Sequence, residues 1–215
     1  PQSAQLSYGN SMHITLKKFY EILENGGDVS FDSLKELFKS NWISAGYVNK
    51  EHEKESFVTG IKSVKLFYDT FFSKDERPVF LEKSFFVKLG DYTINGKIDR
   101  IDKVKGAEGD EYEIVDYKTG DSIKKQTDVD KNRQLVIYSL AAEKVFGIKA
   151  DKLSLLFIDQ NQKLTANNGK IEKLKETVIL EIGEVAKKIE SGDFKATPGV
   201  ACKFCEYNKI CKYAK

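Results

Sequence analysis

Two short runs confine this chain more tightly than anything else in it: GKIDRID, Gly96 to Asp102, and EIVDYKTG, Glu113 to Gly120. Each mixes β-prone residues with carboxylates and is bounded by turn-forming residues, which predicts two strands. Side chains two apart on a strand share a face, so Asp116 and Lys118 project together. Such a pair at the end of an apolar strand is costly to bury without partners. Taken alone, it is an ion pair on an exposed strand face. A second carboxylate, Asp99, changes the reading. If the two strands pair antiparallel through the polar turn Lys105 to Glu111, Asp99 comes to lie beside Asp116. Two converging carboxylates bind a hard divalent cation such as Mg²⁺ or Mn²⁺, and an adjacent lysine can orient or activate an attacking water.

Around these strands the spacing of apolar residues predicts mainly helices over residues 1–77. Met12, Leu16, Phe19, Tyr20 and Leu23 give an amphipathic helix closed by Gly26 and Gly27. His13, near its start, is by itself a polar first-turn residue of a surface helix. A short helix starts at Asp32, and a longer one runs from about Lys50 to Phe72 with a stripe that reads as core. Pro78 ends the helical region, and Val79 to Leu89 reads as a strand carrying Glu82, which on a strand face is usually solvated or paired. A polar loop, Asp121 to Asp130, precedes a helix from Gln134 to Phe146, stopped by Gly147. Gln134 and Tyr138 stack on one face of that helix. Asp151 to Asp159 reads as a further strand, LTANNGK as a turn and Ile171 to Ile189 as a helix. This order predicts an α/β fold with the two acidic strands central: a single domain with a core over 78–190 and a tail over 191–215.

GKIDRID, EIVDYKTG and the following QLVIY together resemble the PD-(D/E)xK nuclease superfamily, specifically its RecB-like branch found at the ends of recombinational helicase-nucleases. The resemblance extends from Gly9 to Cys211. It implies a restriction-endonuclease-like mixed central β-sheet flanked by helices, with an N-terminal helical part and a C-terminal cysteine tail. It also implies a Mg²⁺- or Mn²⁺-dependent DNA exonuclease of repair or recombination, fused to or associated with a helicase. GNSMHITLKKFYE is similar to the G-x-x-x-H-x-x-L segment of that branch, in which the histidine completes the metal site. The implied metal ligands are therefore His13, Asp99, Asp116 and the carbonyl of Tyr117, with Lys118 acting beside Asp99 and Asp116 in catalysis. Gln134 and Tyr138 match the branch's Q-x-x-x-Y motif, which helps hold substrate and catalytic groups. Glu82 stands where the family often has a glutamate and is a minor candidate. With every expected acidic and lysine position filled, the alternative, an inactive nuclease-fold module that binds DNA or acts as a scaffold, is disfavoured.

Composition bounds the partners. With 35 basic and 33 acidic residues the formal charge is +2, too balanced to mark a nucleic-acid binder by itself. DNA phosphates therefore need a local patch, for which Lys124, Lys125, Lys131 and Arg133 are the candidates. No apolar run approaches the roughly 18 residues of a membrane span. The chain lacks the phosphate-loop pattern G-x-x-x-x-G-K-[ST] and the serine-hydrolase pattern G-x-S-x-G. Its three cysteines, Cys202, Cys205 and Cys211, all lie near the end and do not form a disulfide framework, which predicts a cytoplasmic protein. Thiolates this close can converge on zinc or on an iron–sulfur cluster. AddB-type relatives end in a similar triplet and take a fourth ligand from far upstream, which implies a [4Fe-4S] cluster. This chain has no cysteine before Cys202. Its opening, PQSAQLSYGNS, reads as cut from a longer protein that would supply that ligand, so the cluster is expected to be missing from the present chain.

Overall fold

The computed structural model describes residues 2–75, 78–105, 109–120 and 124–214, apart from the Phe204 side chain. Three helices lead the chain: α1 (Ala4–Glu24), α2 (Phe31–Ser40) and α3 (Lys50–Thr70). Each starts on a side-chain cap: Ser3, Ser30 and Asn49 accept the N–H groups of Leu6, Ser33 and His52. α1 starts well before Met12, where the apolar spacing places it. The extra turns bury hydroxyls instead of hydrocarbon. Ser7 donates to the Ala45 carbonyl at 2.6 Å, and Ser11 donates to the Ser7 carbonyl at 2.8 Å. A count of apolar residues passes over such self-satisfied hydroxyls.

The sheet has five strands in the order β1 to β5. β1 (Pro78–Leu89), β2 (Tyr92–Lys105) and β3 (Asp110–Lys118) form an antiparallel meander, as the two acidic runs require. The chain then crosses over through α4 (Gln126–Val129) and α5 (Arg133–Phe146) and returns as β4 (Lys152–Phe157), parallel to β3. β5 (Gln162–Thr165) closes the edge antiparallel to β4, and α6 (Asn168–Glu190) follows. The result is a restriction-endonuclease-like α/β fold.

Two details differ from the sequence reading. Leu164 and Thr165 belong to β5, not to a turn, because a four-residue strand is too short for alternation to declare itself. The loop expected over Asp121 to Asp130 holds the single turn α4. Asp121, Ser122 and Ile123, like Gly106, Ala107 and Glu108 of the expected β2–β3 turn, lie outside the described residues.

Strand alternation sends successive side chains into two different cores. Ile101 and Ile114 face α5 and α6 with Leu135, Ala141, Leu155 and Val178. Val115, Tyr117 and Leu156 face the leading helices with Met12, Leu16, Phe19 and Phe67. The central strands are thus covered on both faces, and polar groups on them are withdrawn from water. That withdrawal sets the electrostatics of the site.

Candidate metal centre and active site

Strand register brings three carboxylates into line. β1 pairs Leu81 with Arg100 and Lys83 with Ile98, which sets Glu82 opposite Asp99. β2 pairs Arg100 with Val115, and the next step sets Asp99 opposite Asp116. Opposed residues point to the same face, so Glu82, Asp99 and Asp116 form a row across three strands. Asp99 and Asp116 are buried, 6% and 2% exposed. Like charges set side by side and shielded from water require a cation.

Two protein cations answer from opposite ends. α1 delivers His13, whose Nδ1 lies 3.4 Å from Asp99 Oδ1 and 3.4 Å from Glu82 Oε1. Its ring also meets Tyr117 edge-on, with centroids 5.8 Å apart. At the other end Lys118 Nζ sits 2.6 Å from Asp116 Oδ2. The same ammonium donates to Gln134 Oε1 at 2.7 Å, and the Gln134 amide donates to the Tyr138 hydroxyl at 2.8 Å. The i,i+4 stacking of Gln134 and Tyr138 on α5 makes this chain of contacts. Lys97 adds a further ion pair to Glu82.

The shifts in acidity follow from this geometry. Burial pulls the His13 imidazole down, but the bonds and charges of Asp99 and Glu82 more than reverse it, to about 10. Asp116 is raised, first by burial and then by the charge of Asp99, with Lys118 pulling the other way. Burial raises the Tyr138 phenol and the charge of Asp116 adds to it, so it stays a neutral donor. Burial also raises Glu82, but His13 and Lys97 prevail and hold it below the usual glutamate range.

The donor set suits a hard divalent ion. The ligand atoms of His13, Glu82 and Asp99 all lie within 4.8 Å of one another. Asp116, its Oδ2 2.6 Å from the Lys118 ammonium, continues the carboxylate row beside these three. One imidazole nitrogen among carboxylate oxygens fits Mn²⁺ or Mg²⁺. Tyr117 places its side chain in the opposite core, and its N–H donates to Asp99 Oδ2 at 2.8 Å, fixing that carboxylate. Glu82, which alternation alone makes an ordinary strand-face residue, thus belongs to the cluster. Its φ of +48° is the further sign, visible only in the backbone.

The other candidates lie apart. Cys202, Cys205 and Cys211 are free thiols, and among the described residues they form no metal-ligating group. Cys202 lies on a short 3-10 helix, Val200–Phe204, Cys205 caps its end, and Cys211 follows in a series of turns. Lys124, Lys125 and Lys131 are exposed, and Lys124 lines a cavity of about 240 Å³ together with Lys118, Thr119 and Asn132. Arg133 makes a two-pronged pair with Glu181, at 2.6 and 2.7 Å, on the exposed surface, where it shares its charge with that carboxylate.

A mixed sheet with a buried row of carboxylates, a histidine and a lysine defines a restriction-endonuclease-like fold with a candidate metal centre. The family model of the PD-(D/E)XK nuclease superfamily matches residues 1–212, and the chain belongs to that superfamily. Membership supports nucleic-acid hydrolysis with a divalent metal. No curated protein matches the chain. Among solved structures, protein VC1899 from Vibrio cholerae is similar at 13% identity with a TM-score of 0.26. That match covers 80% of this chain, which spans 45% of that protein's length. Among the described residues no helix is long and apolar enough to cross a membrane.

Proposed function

We propose that this chain is a divalent-metal-dependent deoxyribonuclease of the RecB-like branch, acting from DNA ends in repair or recombination together with a helicase. The observation that carries the reading is the row Glu82, Asp99 and Asp116, with His13 at one end and Lys118 at the other. The G-x-x-x-H and Q-x-x-x-Y residues support the branch, since His13, Gln134 and Tyr138 all reach this row. His13, Glu82, Asp99 and Asp116 would hold the metal, with the Tyr117 carbonyl as a further ligand. When bound, the metal supplies Lewis-acid polarisation of the scissile phosphate and a lowered pKa for an attacking water.

The chain's own residues do the rest. Lys118, fixed between Asp116 and Gln134, presents one remaining N–H to a water or to a phosphate oxygen and stabilises charge developing there. Tyr138 and Gln134 hold the lysine and offer neutral donors to substrate. Lys124, Lys125 and Lys131 provide phosphate contacts beside the site. Cys202, Cys205 and Cys211 have no part in this scheme.

The test is digestion of linear and circular DNA with Mg²⁺ or Mn²⁺, alongside Mn²⁺ binding by calorimetry. Asp116→Asn is expected to lower Mn²⁺ affinity and turnover together. Lys118→Ala should leave affinity within about threefold and cut turnover by roughly a hundredfold or more. DNA bound without metal-dependent cleavage by the wild type would identify a binding module instead. Equal turnover by Lys118→Ala and wild type would remove the lysine from the mechanism.

A further inference from the structure

Asp159 lies in the turn between β4 and β5, which is closed by the Asn161 N–H donating to the Ile158 carbonyl at 3.2 Å. Aspartates in short loops commonly turn their carboxylate onto the loop's own backbone. Here both oxygens leave the loop. Oδ1 accepts the hydroxyls of Tyr8 on α1 and Ser63 on α3, each at 2.6 Å. Oδ2 accepts the N–H of Gly120, two residues past Lys118, at 2.6 Å. Its neighbours grip the same turn: Ile158 donates to the Lys118 carbonyl at 3.0 Å, and the Gln160 amide donates to the Gly120 carbonyl.

Gly120 has φ +96°, a region that favours glycine, and glycine gives a turn freedom unless outside bonds restrain it. The restraint is tied to α1, the helix that delivers His13. Tyr8 stands just over one turn before His13, and a Cβ added at the intervening Gly9 would come within 3.2 Å of Thr119 Oγ1. One carboxylate therefore links the helix carrying a metal-site histidine to the turn carrying the lysine. Its hydrogen bonds are charge-assisted, the stronger kind. Burial and the adjacent Asp159 charge push the Tyr8 phenol far up, so it remains a donor.

We propose that Asp159 is a positioning residue for Lys118, fixing the lysine's turn against α1 so that ammonium and imidazole keep a set separation across the carboxylate row. The proposal rests on the nuclease reading above.

The experiment measures kcat, KM and Mn²⁺ affinity for the wild type, Asp159→Ala and Lys118→Ala, and the double variant. Asp159→Ala is expected to lower kcat by about 10- to 100-fold. Its KM and Mn²⁺ affinity should stay within about twofold, because the carboxylate row is built on strands and not on this turn. In the Lys118→Ala background the same change should cost little more, since its effect runs through the lysine. An equal loss in both backgrounds would mean a general structural staple and overturn the role. Should Asp159→Ala fail to fold by circular dichroism, Tyr8→Phe combined with Ser63→Ala releases Oδ1 while keeping the Gly120 bond. A kcat drop of about threefold or more is then expected, and unchanged kcat overturns the proposal. A wild type without metal-dependent hydrolysis would instead refute the nuclease reading, and this role with it.

Discussion

Asp130 offers a sharp test of how the α5 side of the site is anchored. It ends the short helix α4, just before the helix that carries Gln134 and Tyr138, and is 3% exposed. Oδ1 accepts the Gln126 amide at 2.8 Å and the Asn167 N–H at 3.0 Å, and Oδ2 accepts Lys170 Nζ at 2.6 Å. Lys170, then the Asn167 and Gln126 bonds, hold its carboxyl at about 2 against an ordinary 3.8. That gap corresponds to about 2.5 kcal/mol of folding stability at neutral pH. Because Lys170 is 58% exposed and its attraction is screened by solvent, about 2 kcal/mol is the better figure. A depressed carboxyl stabilises above its unfolded pKa, and the contribution is lost as pH falls through the folded value. The window is therefore about pH 4 down to pH 2. Asp130→Asn should lower stability in urea by about 2 kcal/mol at pH 7 and by roughly half that at pH 3. Turnover of the fraction that remains folded should hold, since Asp130 touches neither Lys118 nor the carboxylate row. A stability difference that is the same at pH 7 and pH 3 would refute the assignment of this energy to the ionised carboxylate.

Two further outcomes test the surface and the core. Replacing Lys124, Lys125 and Lys131 with glutamine should weaken DNA binding and reduce the slope of log K against log salt by about two to three, whereas Arg133→Gln should change it little. Fluorescence anisotropy across a salt series reads both. Gly60→Ala should destabilise the fold by about 1–2 kcal/mol despite the gain in helix propensity. A Cβ there runs into the ring of Phe38, which is fully buried and packed against Trp42 and Phe57. Thermal melting that shows stabilisation would mean that the ring has room to move.

The core strands were legible because their signals are local. β2 and β3 are β-prone, sit close in sequence and are separated by polar residues, so antiparallel pairing of Asp99 with Asp116 follows almost from the chain alone. The partners of His13 were not legible in that way, since the meeting of α1 with β1 and β2 depends on how Met12, Leu16 and Phe19 pack on the far face of the sheet. Motif resemblance supplied what periodicity could not. Asp159 was invisible to both. Its three side-chain bonds join elements far apart in sequence, and no local window contains them. The pairing of Arg133 with Glu181 on α6 is hidden from a local window for the same reason.

Glu82 makes the link between backbone and chemistry most directly. A non-glycine residue at φ +48° costs on the order of 1–3 kcal/mol, and β1 shifts register against β2 between Pro78 and Phe80, just before it. Glycine or asparagine at this position would relieve the backbone and leave the sheet pairing unharmed. Either would also remove a carboxylate from a row that already strains against its own repulsion, so strand geometry and charge repulsion both argue against a glutamate here. What favours it is the company of cations: His13, protonated at neutral pH by its two carboxylates, and Lys97 on the neighbouring strand. His13, Glu82 and Asp99 would hold a divalent ion through the neutral imidazole, so binding there would be coupled to loss of the His13 proton. The strain at Glu82 is thus tied to a place where positive charge gathers, as the proposed metal site would require.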